Sequence, residues 1–238
     1  MNYSGKSSIE EIRNRFDQDV ERFSNLETGQ QTIIDAPIML DLTTRAAFFV
    51  NPHSKHLLDI GCGAGNFTLK MLEKIPDLNC TLIDLSMPML TRAKERVSAA
   101  TKGKVEILQA DILKAVLPEE HFDIILAASV LHHLRGDDEW TEVFMKIFHS
   151  LKPVGSFWIS DLVTQDSEPM NRLFSDQYAR HLESLGGEAY RNKVLDYIEY
   201  EDSPRSVNFQ LNLMKQVGFR NTEILHKNGS FAAFGGIK

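Results

Sequence analysis

The sequence predicts an α/β fold with a mostly parallel sheet of seven strands, helices on both faces and a C-terminal antiparallel hairpin. From residue 56 onward, short apolar runs alternate with helical stretches: HLLDI, FTLKMLEKI, CTLID, MPMLTRAKERV and VEILQA. Such alternation is typical of βαβ units in a parallel sheet that helices cover. Asn228-Gly229, between TEILHK and SFAAFGGI, is a hairpin signal and predicts the antiparallel ending.

Length and composition indicate one globular domain. The chain has 238 residues and is 42% hydrophobic, which suffices for a core without disulfides. Two cysteines, Cys62 and Cys80, cannot form a disulfide framework, so a reducing, cytoplasmic setting is expected. No signal sequence and no run of about 18 apolar residues occurs, so no membrane contact is expected. The net charge of −7 disfavours nucleic acid as a partner.

Residues 1–50 are expected to form N-terminal helices. Apolar side chains recur there at steps of three and four, on one face of a helix: Ile9, Ile12, Phe16, Val20 and Phe23. A second helix is expected from Asp35, as N-cap, to about Phe49.

Residues 51–163 are expected to form the ligand-binding core. After the first three strands come the apolar strand FDIILAA at 122–128, a helix at 137–151 and the strand GSFWISDL at 155–162. Residues 207–238 then supply the helix Val207–Val217 and the terminal hairpin.

The segment 164–206 is predicted to be a helical lid. It contains two helical stretches, Met170–Leu185 and Glu188–Glu199, on either side of Gly186-Gly187. An insertion after the fifth strand emerges where ligands bind in open α/β sheets, so these helices, with the N-terminal helix around Phe16–Phe23, are expected to close over the site. Packing of the two helices on the sheet, or against a second copy in a homodimer, is left open.

A glycine-rich turn is the sharpest motif. In LLDIGCGAGNF (57–67) a strand carrying Asp59 runs into Gly61, Gly63 and Gly65 and then into a helix. Glycines let the backbone turn tightly and approach a ligand, and the helix start offers free N–H groups. The spacing is GxGxG, with Asn66 where a dinucleotide fingerprint has its third glycine.

This motif resembles that of the class I S-adenosylmethionine-dependent methyltransferases, a Rossmann-like family. The resemblance covers about residues 56–163 and 207–237. It implies that Asp59 and the Gly61 backbone lie near the methionine amino group, and that Leu85 and Ala128 contact the cofactor, with Ala128 at the edge facing the methyl group.

Two further acidic residues follow strand ends. Asp84 ends CTLID, 19 residues beyond Gly65, where a carboxylate can accept from both ribose hydroxyls; Ser86 is the better cap for the next helix. In Ala110-Asp111-Ile112, the resemblance implies that Asp111 accepts from the adenine amino group and that the Ile112 N–H contacts the ring. The alternative for Asp111 is a turn residue.

The sequence says less about the methyl acceptor and about the catalytic residues. The run AASVLHHL (127–134) follows the central strand, and adjacent histidines point in different directions, so we assign His132 as the candidate base beside the alternative of a packing role. No metal is expected, because neighbouring histidines lack i, i+4 geometry and no partner is evident. The absence of an Asn/Asp-Pro-Pro-Tyr/Phe motif and the net charge favour a small-molecule methyl acceptor.

Two alternatives remain open. The chain is similar to the branch that includes carboxy-S-adenosylmethionine synthase of wobble-uridine modification, in which case Arg172, Arg180 or Arg191 would bind the extra carboxylate. A protein that binds the cofactor without turnover is the other alternative.

Overall fold

The computed structural model describes residues 5–25 and 29–238. Its sheet has seven strands in the order β3-β2-β1-β4-β5-β7-β6. The strands are β1 His56–Ile60, β2 Asn79–Asp84, β3 Val105–Gln109, β4 Phe122–Ala128, β5 Leu151–Leu162, β6 Asn221–Asn228 and β7 Phe231–Ile237. The first five pair in parallel, while β7 pairs antiparallel with both β5 and β6. The predicted fold class is thereby confirmed.

Helices cover both faces of this sheet. They are α1 Ile9–Gln18, α2 Val20–Ser24, α3 Ala36–Val50, α4 Asn66–Leu72, α5 Met87–Ala100, α6 Asp137–Ser150, α7 Glu168–Glu201 and α8 Val207–Val217. One apolar cluster joins α6, α8 and one face of the sheet, and another joins α3, α4, α5 and the opposite face. Among the described residues, no helix combines the length and apolarity needed to cross a bilayer.

Two boundaries and one helix cap differ from those predicted. The N-terminal helix is divided at Asp19, which has φ −105° and ψ 13°. Asp35 precedes α3 as expected, but it has φ 57° and its side chain makes no capping hydrogen bond; its carboxylate instead accepts from His226 and Asn228. Strand β5 begins at Leu151 rather than Gly155.

The segment predicted to be a lid folds as the single long helix α7 with a kink. Gly187 has φ 77° and ψ −177°, a conformation that only glycine adopts readily, and it separates the two expected stretches. Tyr178 and Leu182 of α7 are buried against Met39 of α3 and Phe231 of β7. Helix α7 therefore packs on α3 and β7, which agrees with the alternative that these helices pack on the sheet.

The N-terminal helices are attached to the end of α7. Ser8 and Glu11 form a capping box at the start of α1. The Ser7 N–H donates to the Tyr200 carbonyl at 3.0 Å. Arg15 donates from Nε and Nη2 to the carboxylate of Glu201, at distances of 2.6 to 3.0 Å. These contacts hold α1 across the carboxyl ends of the parallel strands.

Candidate functional site

A cavity of about 220 Å³ lies beyond the carboxyl ends of β1, β2 and β4. The glycine turn forms its floor, and residues of α1, α2 and the 29–33 segment form the opposite wall. All nine residues assigned to cofactor binding are brought to this region, and the following eight line the cavity: Asp59, Gly61, Gly63, Asp84, Leu85, Asp111, Ile112 and Ala128. Gly65, the ninth, is the N-cap of α4.

The glycine turn needs two of its glycines for different reasons. A Cβ on Gly61 would lie 2.6 Å from Cβ and Cγ2 of Val130, and the residue has φ +65°. Gly63 has φ +50°, but a Cβ there would meet nothing within 4 Å. The space above Gly63 is therefore open to a ligand that approaches the backbone closely.

Asp84 connects the tip of β2 to the glycine turn. Its Oδ2 accepts from the Gly63 N–H at 2.8 Å and its Oδ1 accepts from the Ser86 N–H at 2.9 Å. Ser86 caps α5 by accepting from Met89 N–H, as anticipated. Burial raises the pKa of the Asp84 carboxyl to about 6, although hydrogen bonds from Ser86 and Gly63 oppose the shift.

Asp59 lies beneath the turn with 1% of its surface exposed. Its Oδ2 accepts from the Thr68 hydroxyl at 2.6 Å. Burial raises the pKa of Asp59 to about 7, and the hydrogen bond from Thr68 only partly offsets this. Thr68 was not singled out in the sequence, because its position two residues inside a helix carries no signal of a carboxylate partner.

Asp111 presents an unused acceptor. Its Oδ1 accepts from the Leu113 N–H at 3.0 Å, whereas its Oδ2 is buried without a hydrogen-bond partner among the described residues. A buried acceptor without a donor is costly, so this oxygen fits a ligand amino group. Leu85, Met89 and Ile112 line the cavity beside it and suit a planar aromatic ring. Met89 thus serves both the helix core and the cavity wall.

Of the two segments predicted to cover the cavity, the N-terminal helix lines it. Ile12, Phe16 and Phe23 line it, in agreement with the predicted role of the first helix. Among the described residues, none between 164 and 206 does so. Helix α7 instead contacts α1 and the preceding Ser7 through Glu201 and Tyr200, and its closure over a bound acceptor stays a prediction.

Asn66 fastens this cover to the glycine turn. Its Nδ2 donates to the Phe23 carbonyl at 2.9 Å, and its Oδ1 accepts from Arg96 at 2.9 Å. A glycine at this position, as in a dinucleotide fingerprint, could make neither bond. The residue that distinguished the motif from such a fingerprint therefore has a structural role of its own.

The two adjacent histidines face different surroundings, but in the opposite sense to that expected. His132 is buried, and its Nδ1 contacts the Asp161 carboxylate. Burial disfavours its charged form, but Asp161 and Asp202 outweigh burial and raise its pKa to about 9. His133 lines the cavity, whereas His132 does not. The prediction that His132 is the histidine facing the substrate is corrected, since His133 occupies that position.

Carboxylate partners for this pair come from distant parts of the chain. Asp202 Oδ1 lies 3.2 Å from His133 Nδ1 and 3.7 Å from His132 Nε2. Burial and the neighbouring His132 lower the pKa of His133. The histidines therefore have carboxylate partners, contrary to the prediction, and these are not evident in the sequence because Asp161 and Asp202 are far from the histidines along the chain.

Comparison with known proteins is consistent with this geometry. The methyltransferase domain family matches residues 57–155. The chain is 26% identical over 184 residues to a ubiquinone/menaquinone biosynthesis C-methyltransferase of Vibrio campbellii, covering 75% of this chain and 70% of the relative. It is 25% identical over 187 residues to a carboxy-S-adenosyl-L-methionine synthase of Nautilia profundicola, covering 75% of each chain.

The fold also matches a solved structure. Human N-acetylserotonin methyltransferase in complex with S-adenosylmethionine superposes with a TM-score of 0.63 at 17% identity. The alignment covers 97% of this chain but only 57% of the human chain, which is longer.

Proposed function

The chain belongs to the class I S-adenosylmethionine-dependent methyltransferases, and from this membership we propose that it transfers a methyl group to a small-molecule acceptor. The observation that carries the proposal is the unpartnered, buried Asp111 Oδ2 in the same cavity as Asp84 and the glycine turn. These groups fit the amino group of an adenine and the hydroxyls of a ribose, which are the donors an adenosine cofactor presents.

Each residue has a proposed role in holding the cofactor. Asp84 accepts from the ribose hydroxyls, and Asp111 accepts from the adenine amino group beside the Ile112 N–H. Leu85 packs on the ring, and Gly63 lets the backbone approach without a Cβ. Gly61 and Gly65 shape the turn, and Asp59 lies near the methionine end of the cofactor, which carries the amino group. Ala128, with its small side chain, leaves room at the edge of β4 for the methyl group.

Catalysis is proposed to rest mainly on positioning. When bound, S-adenosylmethionine supplies a methyl group on a sulfonium, which is already a good leaving group. The chain then needs to align acceptor and methyl in a water-poor space, because proximity and orientation can supply much of the rate enhancement. Phe16, Phe23 and Ile12 provide the apolar wall that excludes water. A base is required only for an acceptor that must lose a proton.

The carboxy-S-adenosylmethionine synthase alternative finds little support in the cavity. Arg172 and Arg191 form surface ion pairs within α7, with Glu168 and with Glu183 and Glu188. Arg180 is likewise absent from the cavity lining described. Arg135 does line the cavity, but its guanidinium donates to the Glu201 carbonyl, Ser203 Oγ and the Ser7 carbonyl.

The proposed function is tested by identifying the ligand and weakening its contact to Asp111. Mass spectrometry of the denatured, purified protein is expected to release S-adenosylmethionine or S-adenosylhomocysteine, and calorimetry to show S-adenosylhomocysteine binding. Asp111→Asn retains an oxygen for the Leu113 N–H but removes the charge. We expect a 10- to 150-fold weaker affinity, which corresponds to about 1.5–3 kcal/mol for a hydrogen bond to a charged group.

Asp77→Asn is the matched control, since Asp77 is exposed in a loop outside the cavity. It should leave the dissociation constant unchanged. Release of a carboxylated cofactor would instead favour the synthase alternative, and binding of NAD without S-adenosylhomocysteine would contradict the proposal.

Affinity for S-adenosylhomocysteine is expected to rise with pH between 5 and 8. In the free protein burial holds the pKa of Asp59 at about 7 and that of Asp84 at about 6, so both are partly protonated in this range. A ligand ammonium group and ribose donors favour the ionised carboxylates, so binding lowers both pKa values and releases protons. Calorimetry in buffers of different ionisation enthalpy measures this release. Proton uptake, or an affinity that is flat with pH, would contradict the assignment, and Asp59→Asn should reduce the slope.

A further inference from the structure

Two histidines and a carboxylate converge beside the cavity, at the junction of the turn after β4 and the end of α7. One ligand-type atom of each of His132, His133 and Asp202 lies within 4.8 Å of the others. Asp202 and His132 are 4% and 6% exposed. This His132–His133–Asp202 cluster is separate from the carboxylates assigned above to the adenosine site.

Several polar atoms of the cluster lack a hydrogen-bond partner among the described residues. Both ring nitrogens of His133 and Oδ1 of Asp202 are buried and have no hydrogen-bond partner among the described residues. His133 Nδ1 and Asp202 Oδ1 are 3.2 Å apart, yet their alignment does not make a hydrogen bond. Buried polar atoms without partners are rare because each loses its hydration without compensation. Of these atoms, His133 Nδ1 and Asp202 Oδ1 face each other within the cluster, which indicates a small ligand that the two side chains share.

We propose that His132, His133 and Asp202 bind a divalent transition-metal ion of the zinc type. Imidazole nitrogen and carboxylate oxygen are ligands that Zn²⁺ accepts, and three protein ligands leave a further coordination position for water or another group. The inference goes beyond methyl transfer and does not depend on it.

The spacing of the ligand atoms fits such an ion. Bonds of about 2.0–2.2 Å in tetrahedral geometry place neighbouring ligand atoms roughly 3.3–3.6 Å apart. The separations from Asp202 Oδ1 are 3.2 Å to His133 Nδ1 and 3.7 Å to His132 Nε2. All three ligand atoms lie within 4.8 Å of one another, so the side chains must shift to reach the spacing of a tetrahedral ion.

Asp161 supplies the outer support that metal-binding histidines commonly have. Its Oδ1 contacts His132 Nδ1, which leaves Nε2 directed to Asp202. Its Oδ2 accepts from the Leu131 N–H at 2.9 Å and so is fixed to the same turn. A carboxylate on the far nitrogen sets the tautomer and raises the basicity of the imidazole.

The backbone around the cluster is also tied together. Ser203 N–H donates to the His132 carbonyl at 2.6 Å. Arg135 donates to Ser203 Oγ at 3.1 Å. A metal ion here would cross-link the turn after β4 to the end of α7, and α7 in turn holds α1 over the cavity through Glu201.

Metal content of the intact protein tests this site. Protein stripped with chelator and re-equilibrated with ZnSO₄ should retain about one zinc per chain after desalting. Co²⁺ in its place should give visible d–d absorption of tetrahedral strength. Asp202→Asn and His133→Asn should each weaken Zn²⁺ binding at least 10-fold, and Asp161→Asn about 10- to 100-fold as an outer-shell loss.

His226→Asn is the matched control, because His226 also pairs with a carboxylate, Asp35, outside the cluster. It should leave the zinc stoichiometry unchanged. X-ray absorption on zinc-loaded wild-type protein does not depend on the folding of any variant, and it should show two imidazoles in a nitrogen and oxygen shell. Failure of the wild-type protein to retain stoichiometric zinc, a spectrum without imidazole scattering, or full retention by folded Asp202→Asn would each overturn the proposal.

Discussion

Gly61→Ala is expected to lower the free energy of unfolding by about 2–5 kcal/mol, the sum of left-handed backbone strain of about 1–2 kcal/mol and core overpacking of about 1–3 kcal/mol. The residue has φ +65°, and its new Cβ would lie 2.6 Å from two carbon atoms of Val130. Val130 is positioned by the turn that leads out of β4, so it cannot withdraw without moving the wall of the cavity. Urea unfolding followed by circular dichroism measures the loss.

Gly63→Ala is the matched comparison, because it differs from Gly61→Ala mainly in what the methyl group meets. A Cβ on Gly63 has no atom within 4 Å, so only the strain of φ +50° remains, at about 1–2 kcal/mol. Its methyl group would occupy the ligand space, and we expect S-adenosylhomocysteine affinity to fall more than about 100-fold, equivalent to roughly 2.8 kcal/mol. Val130→Ala added to Gly61→Ala should recover part of the lost stability. Equal stabilities of the two single variants would contradict this account.

The features that could be predicted from the sequence are those, like the glycine turn, that depend on residues close together in the chain. Gly61, Asp84 and Asp111 lie at or within two residues of strand ends, and the carboxyl ends of parallel strands meet at one edge of the sheet. The alternation of strands and helices therefore fixed their neighbourhood before any side-chain packing was known. The GxGxG spacing then distinguished them from a dinucleotide site.

Features that depend on distant pairings were missed. Arg15 and Glu201 are 186 positions apart, and His132 and Asp161 are 29 positions apart on different elements. The composition of 164–206 is compatible with a lid, because an amphipathic helix has the same sequence pattern whether it covers a ligand or packs on a sheet. The contact of Tyr178 with Phe231, which packs this helix on the sheet, has no periodic signature.

Arg15→Ala is expected to release helix α1 from the cavity and to lower the free energy of unfolding. Glu201 is 6% exposed, and Arg15 donates to both of its oxygens while its guanidinium lies 4.2 Å from the Phe16 ring centroid and 4.3 Å from that of Tyr197. Loss of one partner of a buried pair costs about 3–5 kcal/mol. Since 26% of the Arg15 side chain is exposed to screening water, we expect about 2–3 kcal/mol.

The consequence for ligand binding follows from the position of α1. Ile12 and Phe16 line the cavity from this helix, so its release should weaken S-adenosylhomocysteine binding at least 10-fold, about 1.4 kcal/mol. Hydrogen exchange should accelerate in residues 9–18 and remain slow in strands β1 and β4. Arg15→Gln combined with Glu201→Gln leaves no unpaired buried charge and should restore much of the stability. If Arg15→Ala leaves both the exchange of α1 and the dissociation constant unchanged, α1 is not the element that closes the site.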